Sequence, residues 1–292
     1  MGKYSIKELE KLSGIKAHTI RIWEKRYSIV EPQRTASNIR LYSDDDLKKI
    51  LNVSLLNNHG IKISNIVGMS KDELNKKVIE LSEGKPDTHI HIDRLITGML
   101  DLDEAAFERD LSELERKFGF EYTITDIVYA FLEKIGLLWQ TGSITPAHEH
   151  FISNLIRQRV IVAIAGIPVP KDSTLRAVLF LPESEMHEIG LLFYHYLARK
   201  SGIKTYYLGQ AVPYNDLKNV CEIHRPHLLI TSFTSFPSPQ DLNTYLTRLA
   251  DDFPTSRILA SGAVLRRSSF HYPRNLTVFQ TANELKDLLR KL

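Results

Sequence analysis

From residue 172 onward the chain alternates five short apolar runs with stretches of helical character, and few folds accommodate that rhythm. The runs are 176–181, 204–208, 227–232, 257–260 and 277–280, with helical stretches near 187–200, 214–224, 238–252 and 282–291. Runs that are apolar throughout suit strands buried on both faces, and helices between them imply a parallel sheet. Five such units suggest a doubly wound, flavodoxin-like order whose ligands bind at the carboxyl ends of the strands. Glu185-Met-His187-Glu-Ile-Gly190 falls on the loop after the first run, at such an end. There a carboxylate can fix the tautomer of the His187 ring and strengthen it as a ligand. Gly190 lets backbone come close to a bulky group.

Upstream, residues 87–165 read as helical. Ile92, Leu95, Ile96 and Met99 recur at helical spacing, as do Phe107, Leu111 and Leu114. Thr123-Ile-Thr-Asp126 is expected to cap a helix carrying Ile127, Val128, Phe131, Leu132, Ile135 and Leu138. A fourth segment starts at Pro146, a residue tolerated in a first turn, and runs to Ala165. Four amphipathic segments suggest a four-helix bundle.

The first 71 residues hold 13 Lys and Arg against 7 Asp and Glu, whereas the remainder holds 25 against 28. A basic head on a slightly acidic body points to a polyanion partner for the head alone. Ser5-Ile-Lys-Glu8 has the capping-box pattern and opens a short helix with Ile6, Leu9 and Leu12 inward, broken at Ser13-Gly14. A second helix near 17–26 places Ile20, Trp23 and Tyr27 on one face and His18, Arg21 and Lys25 on another. Two short helices joined by a glycine turn make a helix-turn-helix, whose second helix fits a major groove. The stretch from Gln33 through Arg34, Asn38 and Arg40 to Tyr42 has the character of a wing, after which Ser43-Asp-Asp-Asp46 caps another helix. Tyr42 reads equally well as a core residue, as do Trp23 and Tyr27.

The single Cys221 excludes an intramolecular disulfide framework. No apolar run is long enough to cross a bilayer, and no leader pattern opens the chain, so a cytoplasmic protein is expected.

The segment 14–27, followed by Pro32, Arg34, Asn38, Arg40, Tyr42 and Asp46-Leu47, resembles the winged helix-turn-helix of the MerR family over residues 4–75. By that resemblance Thr19, Arg21, Arg26, Arg34, Arg40 and Tyr42 are DNA contacts, alongside His18 and Lys25 from the outward helix face. Members of that family often dimerise through a long helix after the reader. Here Gly60, Gly68 and Gly84-Lys85-Pro86 stand instead, followed by two further domains, so the effector site is expected in the C-terminal part.

Trp139, nine intervening residues and Glu149-His150 resemble the helical cap of cobalamin-binding transcriptional regulators of the CarH and LitR type. In that family these residues pack over the upper face of the corrin. Glu185-x-His187-x-x-Gly190 is similar to the motif, usually with Asp first, whose histidine becomes the lower axial ligand of cobalt. Gly209 resembles the family's loop after the second strand, while Ser232 and Thr234 fall where it has Ser-x-Leu. Ser261-Gly262 falls where it commonly has Gly-Gly. The organisation implied is a reader over 1–75, a helical cap over 87–168 and a Rossmann-like cobalamin domain over 172–292, with the corrin between the last two.

The resemblance implies a regulator rather than an enzyme. It would be a repressor whose adenosylcobalamin chromophore governs oligomerisation, as dimer or tetramer, and binding to double-stranded operator DNA. In that reading His150, or its neighbour His148, shifts once light removes the upper group. A MerR-type regulator of another small molecule and a corrinoid carrier of a methyltransferase are the alternative readings.

Overall fold

The computed structural model describes residues 4–35, 38–58, 60–70, 73–74, 77, 88–140, 144–170, 173–236, 238–266 and 272–292. Within its helices the side chains of residues 55, 58, 89, 137, 139, 140, 239 and 266 lie outside that description. The chain forms two compact units, Met1–Leu155 and Ile156–Leu292.

In the first unit, Ser5 and Glu8 form the expected capping box on the helix Ile6–Ser13, and Gly14 ends it with φ 74°. Leu9 and Leu12 are buried, while Ile6 is only half-buried. The helix Ala17–Tyr27 follows and buries Ile20 and Trp23. Strands β1 (Gln33–Arg34) and β2 (Arg40–Leu41) pair antiparallel, Gln33 opposite Leu41 and Arg34 opposite Arg40. A bridge between Tyr4 and Tyr42 ties the start of the chain to this wing. Ser43 and Asp46 cap the helix Asp44–Asn58 reciprocally.

The helices Thr88–Leu100 and Glu104–Phe118 pack on each other through Leu95, Ile96, Met99, Phe107 and Leu111. The expected cap at Thr123 is not one. Gly119 (φ 84°) breaks the chain, a short helix Phe120–Tyr122 starts behind it, and Thr123–Val128 continue as a π-helical turn into the helix Tyr129–Gln140. The reason is local: the Thr123 and Thr125 hydroxyls donate to the carbonyls of Gly119 and Glu121 one turn back, so neither is left to cap amides ahead of it. The reader packs on these helices. Asp44–Asn58 lies against Thr88–Leu100, and Lys134 Nζ donates to both the Leu12 carbonyl (3.4 Å) and Asp93 (3.1 Å).

The boundary between the units falls inside the helix Pro146–Ala165, whose last ten residues belong with the sheet. The second unit holds a parallel sheet of strands β3 (Arg176–Pro182), β4 (Lys204–Val212), β5 (Leu228–Ser232), β6 (Arg257–Ser261) and β7 (Leu276–Val278). Their order is β4-β3-β5-β6-β7, the flavodoxin-like arrangement, with its reversal of direction between β3 and β5. Val178, Phe180, Leu229, Ile258 and Ala260 bury one sheet face against Leu217, Leu242 and Leu246 of the covering helices. Among the described residues no helix is long and apolar enough to cross a membrane.

The second strand is longer than its sequence suggests. Residues 208–212 do not form a loop but stay paired with β3, Gly209 opposite Phe180 and Val212 opposite Pro182. Gly209 (φ 80°) and Ala211 (φ 53°) absorb two register shifts there. The Ala211 N–H then reaches the carbonyl of Glu185 at 3.3 Å and holds the loop after β3.

Candidate functional site

On the reading helix, His18, Arg21, Lys25 and Arg26 are exposed, whereas Thr19 is half-buried. Arg26 lies over the Tyr27 ring at 5.3 Å. Trp23 is 7% exposed, which makes it core. Glu24 clamps the wing to the helix. Its two oxygens accept from Arg40 Nε at 3.1 and 3.0 Å, and one also accepts from the Tyr42 hydroxyl at 3.2 Å. Tyr42 is 1% exposed, and its phenol is pushed well above the ordinary range by burial and by the Glu24 carboxylate. The expectation that Tyr42 touches DNA is therefore corrected. Its ring fills the core, and its hydroxyl helps to place Arg40. At the wing tip Arg34 donates to the Asn38 side chain at 2.7 Å, and Asn38 makes the turn with φ 61°. Glu24 was missed from sequence because its partners lie 16 and 18 residues away, beyond any local pattern.

In the sheet unit, Glu185 and His187 stand at the carboxyl end of β3, just before the helix Glu188–Lys200. Glu185 is fully buried, and its carboxylate accepts four hydrogen bonds. One oxygen takes the His187 amide at 3.0 Å and ring Nδ1 at 2.5 Å. The other takes the amides of Thr234 (2.6 Å) and Ser235 (2.7 Å) from the loop after β5. Burial alone would raise this carboxyl. The bonds from the His187 ring and the Ser235 and His187 amides outweigh it and hold the group below its ordinary value. An ionised carboxylate can only accept, so Nδ1 carries the proton and the lone pair resides on Nε2. The His187 side chain is 59% exposed.

Nothing in the backbone requires glycine at 190: its φ is ordinary, and beyond the helix's own backbone an added Cβ would meet the Tyr194 ring hydroxyl at 3.9 Å, an ordinary contact. Among the described residues no group of three or more His, Cys, Asp or Glu could hold a bare ion.

The ends of β5 and β6 are pinned together. Gly262 (φ 121°) sits so close to Phe233 that a Cβ would lie 2.2 Å from its carbonyl oxygen. Ser232 is buried, while the Thr234 side chain is exposed. Ser261 takes a hydrogen bond from the Tyr194 hydroxyl at 3.2 Å, and that ring packs edge-on against Phe279. The Ser261 hydroxyl is thus engaged with Tyr194. Beside His187, Glu188 accepts from Arg157 (2.8 Å) and Tyr207 (2.8 Å). Its partners come from another helix and from β4, so sequence reading passed over this cluster.

The first unit contains a second carboxylate–imidazole pair. Glu149 contacts His150 Nδ1 at 2.7 Å and accepts from Ser153 at 2.6 Å, and His150 is solvent-exposed. His148 Nδ1 lies 2.9 Å from the Thr145 hydroxyl. The Trp139 side chain lies outside the described residues. The structure therefore pairs Glu149 with His150 and Glu185 with His187, each within its own unit.

Residues 4–73 match the family of MerR HTH regulatory proteins, and residues 91–163 match the B12 binding domain. The chain is 25% identical over 271 residues to the HTH-type transcriptional repressor CarH of Myxococcus xanthus, covering 91% of this chain and 90% of that one. It is also 25% identical over 243 residues to the repressor CarA of the same organism, covering 82% and 80%. Among solved structures, the monomethylamine corrinoid protein of Methanosarcina barkeri shares the fold at TM-score 0.54 and 15% identity, over 67% of this chain and 95% of that one. The chain carries a MerR-family helix-turn-helix domain and, behind it, a B12-binding domain.

Proposed function

We propose that the protein is a DNA-binding transcriptional repressor whose signal is cobalamin, adenosylcobalamin being the form that makes it light-responsive. The carrying observation is the Glu185–His187 pair, a ring nitrogen fixed at the carboxyl end of a flavodoxin-like sheet, in a chain that opens with a winged helix-turn-helix. The relatives' printed role as repressors supports the same reading. When bound, adenosylcobalamin supplies a cobalt–carbon bond that visible light breaks.

In this reading His187 Nε2 would hold the cobalt, with Glu185 fixing the ring's tautomer. Gly190 leaves room for the ring edge, and the ends of β5 and β6 at Ser232, Thr234, Ser261 and Gly262 receive the remainder of the ligand. Trp139, Glu149 and His150 are proposed as further cobalamin-binding residues. Repression follows if the ligand binds one assembly state, dimer or tetramer, more tightly than the other, since only differential affinity shifts such an equilibrium. A corrinoid carrier would have no use for the reader of residues 4–73.

The test is an absorbance titration with adenosylcobalamin in the dark, followed by illumination and gel filtration. Wild type is expected to retain the corrinoid through desalting and to change oligomer size on illumination. His187→Ala is expected to lose the spectral signature of imidazole ligation. Full retention of that signature by the variant overturns the assignment of His187, and identical elution in dark and light overturns the light response.

A further inference from the structure

The outward face of the reading helix carries one side chain that phosphates cannot explain. Ile22 is 54% exposed, although the neighbours on its face are His18, Arg21, Lys25 and Arg26. At about 100° per residue it lies roughly 200° around the axis from the buried Ile20 and about 100° from the buried Trp23, on the exposed side between His18 and Arg26. His18 stands one turn before it, and Lys25 and Arg26 one turn after. The wing approaches from elsewhere, through Glu24, whose carboxylate faces Arg40 and Tyr42.

A branched apolar chain gains nothing from a phosphate, and in water it forgoes the free energy that contact with another apolar group would give. Its neighbours also argue against a protein partner. The buried centre of a protein interface is depleted of charge, whereas this isoleucine is ringed by three cations and an imidazole. One polyanion presents an apolar group within such a ring. In the major groove, thymine adds its 5-methyl to the donors and acceptors of the base edges, and apolar side chains read it by contact.

We propose that Ile22 is a specificity residue that reads a thymine methyl at the centre of each bound site, while the surrounding basic residues hold the helix in register. The inference rests on the DNA-binding reading and deepens it. Burying one methyl is equivalent to about a four-fold change in affinity.

The experiment selects bound duplexes from a random-sequence pool with the full chain, with and without adenosylcobalamin in the dark. Each thymine of the selected site is then replaced in turn by deoxyuridine, which removes only the methyl. At one central thymine the replacement should weaken wild type about four-fold. Ile22→Ala should not distinguish thymine from uracil there, yet should keep every other preference of the site, and Ile22→Val should keep most of the discrimination. Far-ultraviolet circular dichroism of Ile22→Ala should match wild type, because the side chain is largely outside the core.

Equal wild-type affinity for thymine and uracil at every position overturns the assignment, and so does a penalty that survives in Ile22→Ala. Recovery of no preferred sequence under any condition overturns the DNA-reading function itself, and the assignment with it.

Discussion

Replacing Glu185 by Gln should loosen the sheet unit and weaken corrinoid binding together. The buried carboxylate accepts amides from His187, Thr234 and Ser235 as well as the His187 ring, so it joins the loops after β3 and β5. A glutamine carbonyl can keep one of those two sets. Its NH2 then faces donors of the other set, leaving part-buried N–H groups without acceptors. Charge-assisted bonds contribute about 1.5–3 kcal/mol each, and stranded donors cost about 1–3 kcal/mol. A net loss of about 3 kcal/mol is expected at pH 7, which lowers Tm by about 6–12 °C for a unit of this size. Loss of a partner that orients a metal ligand costs about 10–100-fold in affinity, to be read by titration with aquocobalamin.

The pH dependence has a definite sign. The Glu185 carboxyl is held below its ordinary value of 4.5, so its stabilising effect is complete above that pH. It fades as the pH falls through the lower folded-state value. Thermal melts followed by circular dichroism should therefore show a gap between wild type and Glu185→Gln that is widest near neutrality and narrows on acidification. Equal Tm values at pH 7, or a gap that widens toward acid, would show that the Glu185 carboxylate does not join these loops.

Gly262→Ala places a Cβ 2.2 Å from the Phe233 carbonyl at a φ of 121°, so backbone must move; a Tm loss larger than that of Glu185→Gln is expected, and an unchanged melt would show that β5 and β6 are not pinned there. Glu24→Gln should release Arg40 and leave the buried Tyr42 hydroxyl with a weaker acceptor, costing about 1–2 kcal/mol and several-fold in affinity for duplex DNA by gel shift. Burial pushes the Cys221 thiol up to about 12, so a thiol reagent at pH 8 should label the protein only at the rate of unfolding, and rapid labelling of the native protein would contradict its burial.

Local signals along the chain set the elements and their kinds. The capping boxes at Ser5 and Ser43, the helical periodicity of Ile92 to Met99 and the unbroken apolar strands each express a short-range rule that the tertiary structure does not override. Sheet order also followed, since strands alternating with helices leave few topologies. Local rules failed where two of them competed. Thr123 has cap chemistry, but its hydroxyl turned back to Gly119; Gly209 has loop chemistry, but it served as a bulge within a strand. What each functional side chain touches depends on the folded chain. The Glu185 carboxylate meets amides 49 and 50 residues away, Glu24 holds an arginine 16 residues on, and Ser261 is bonded by Tyr194 from 67 residues back. Residue type and spacing say that a carboxylate stands beside an imidazole. Which donors share that carboxylate, and hence its charge and the ring's tautomer, depends on chain segments that meet only when the sheet has formed.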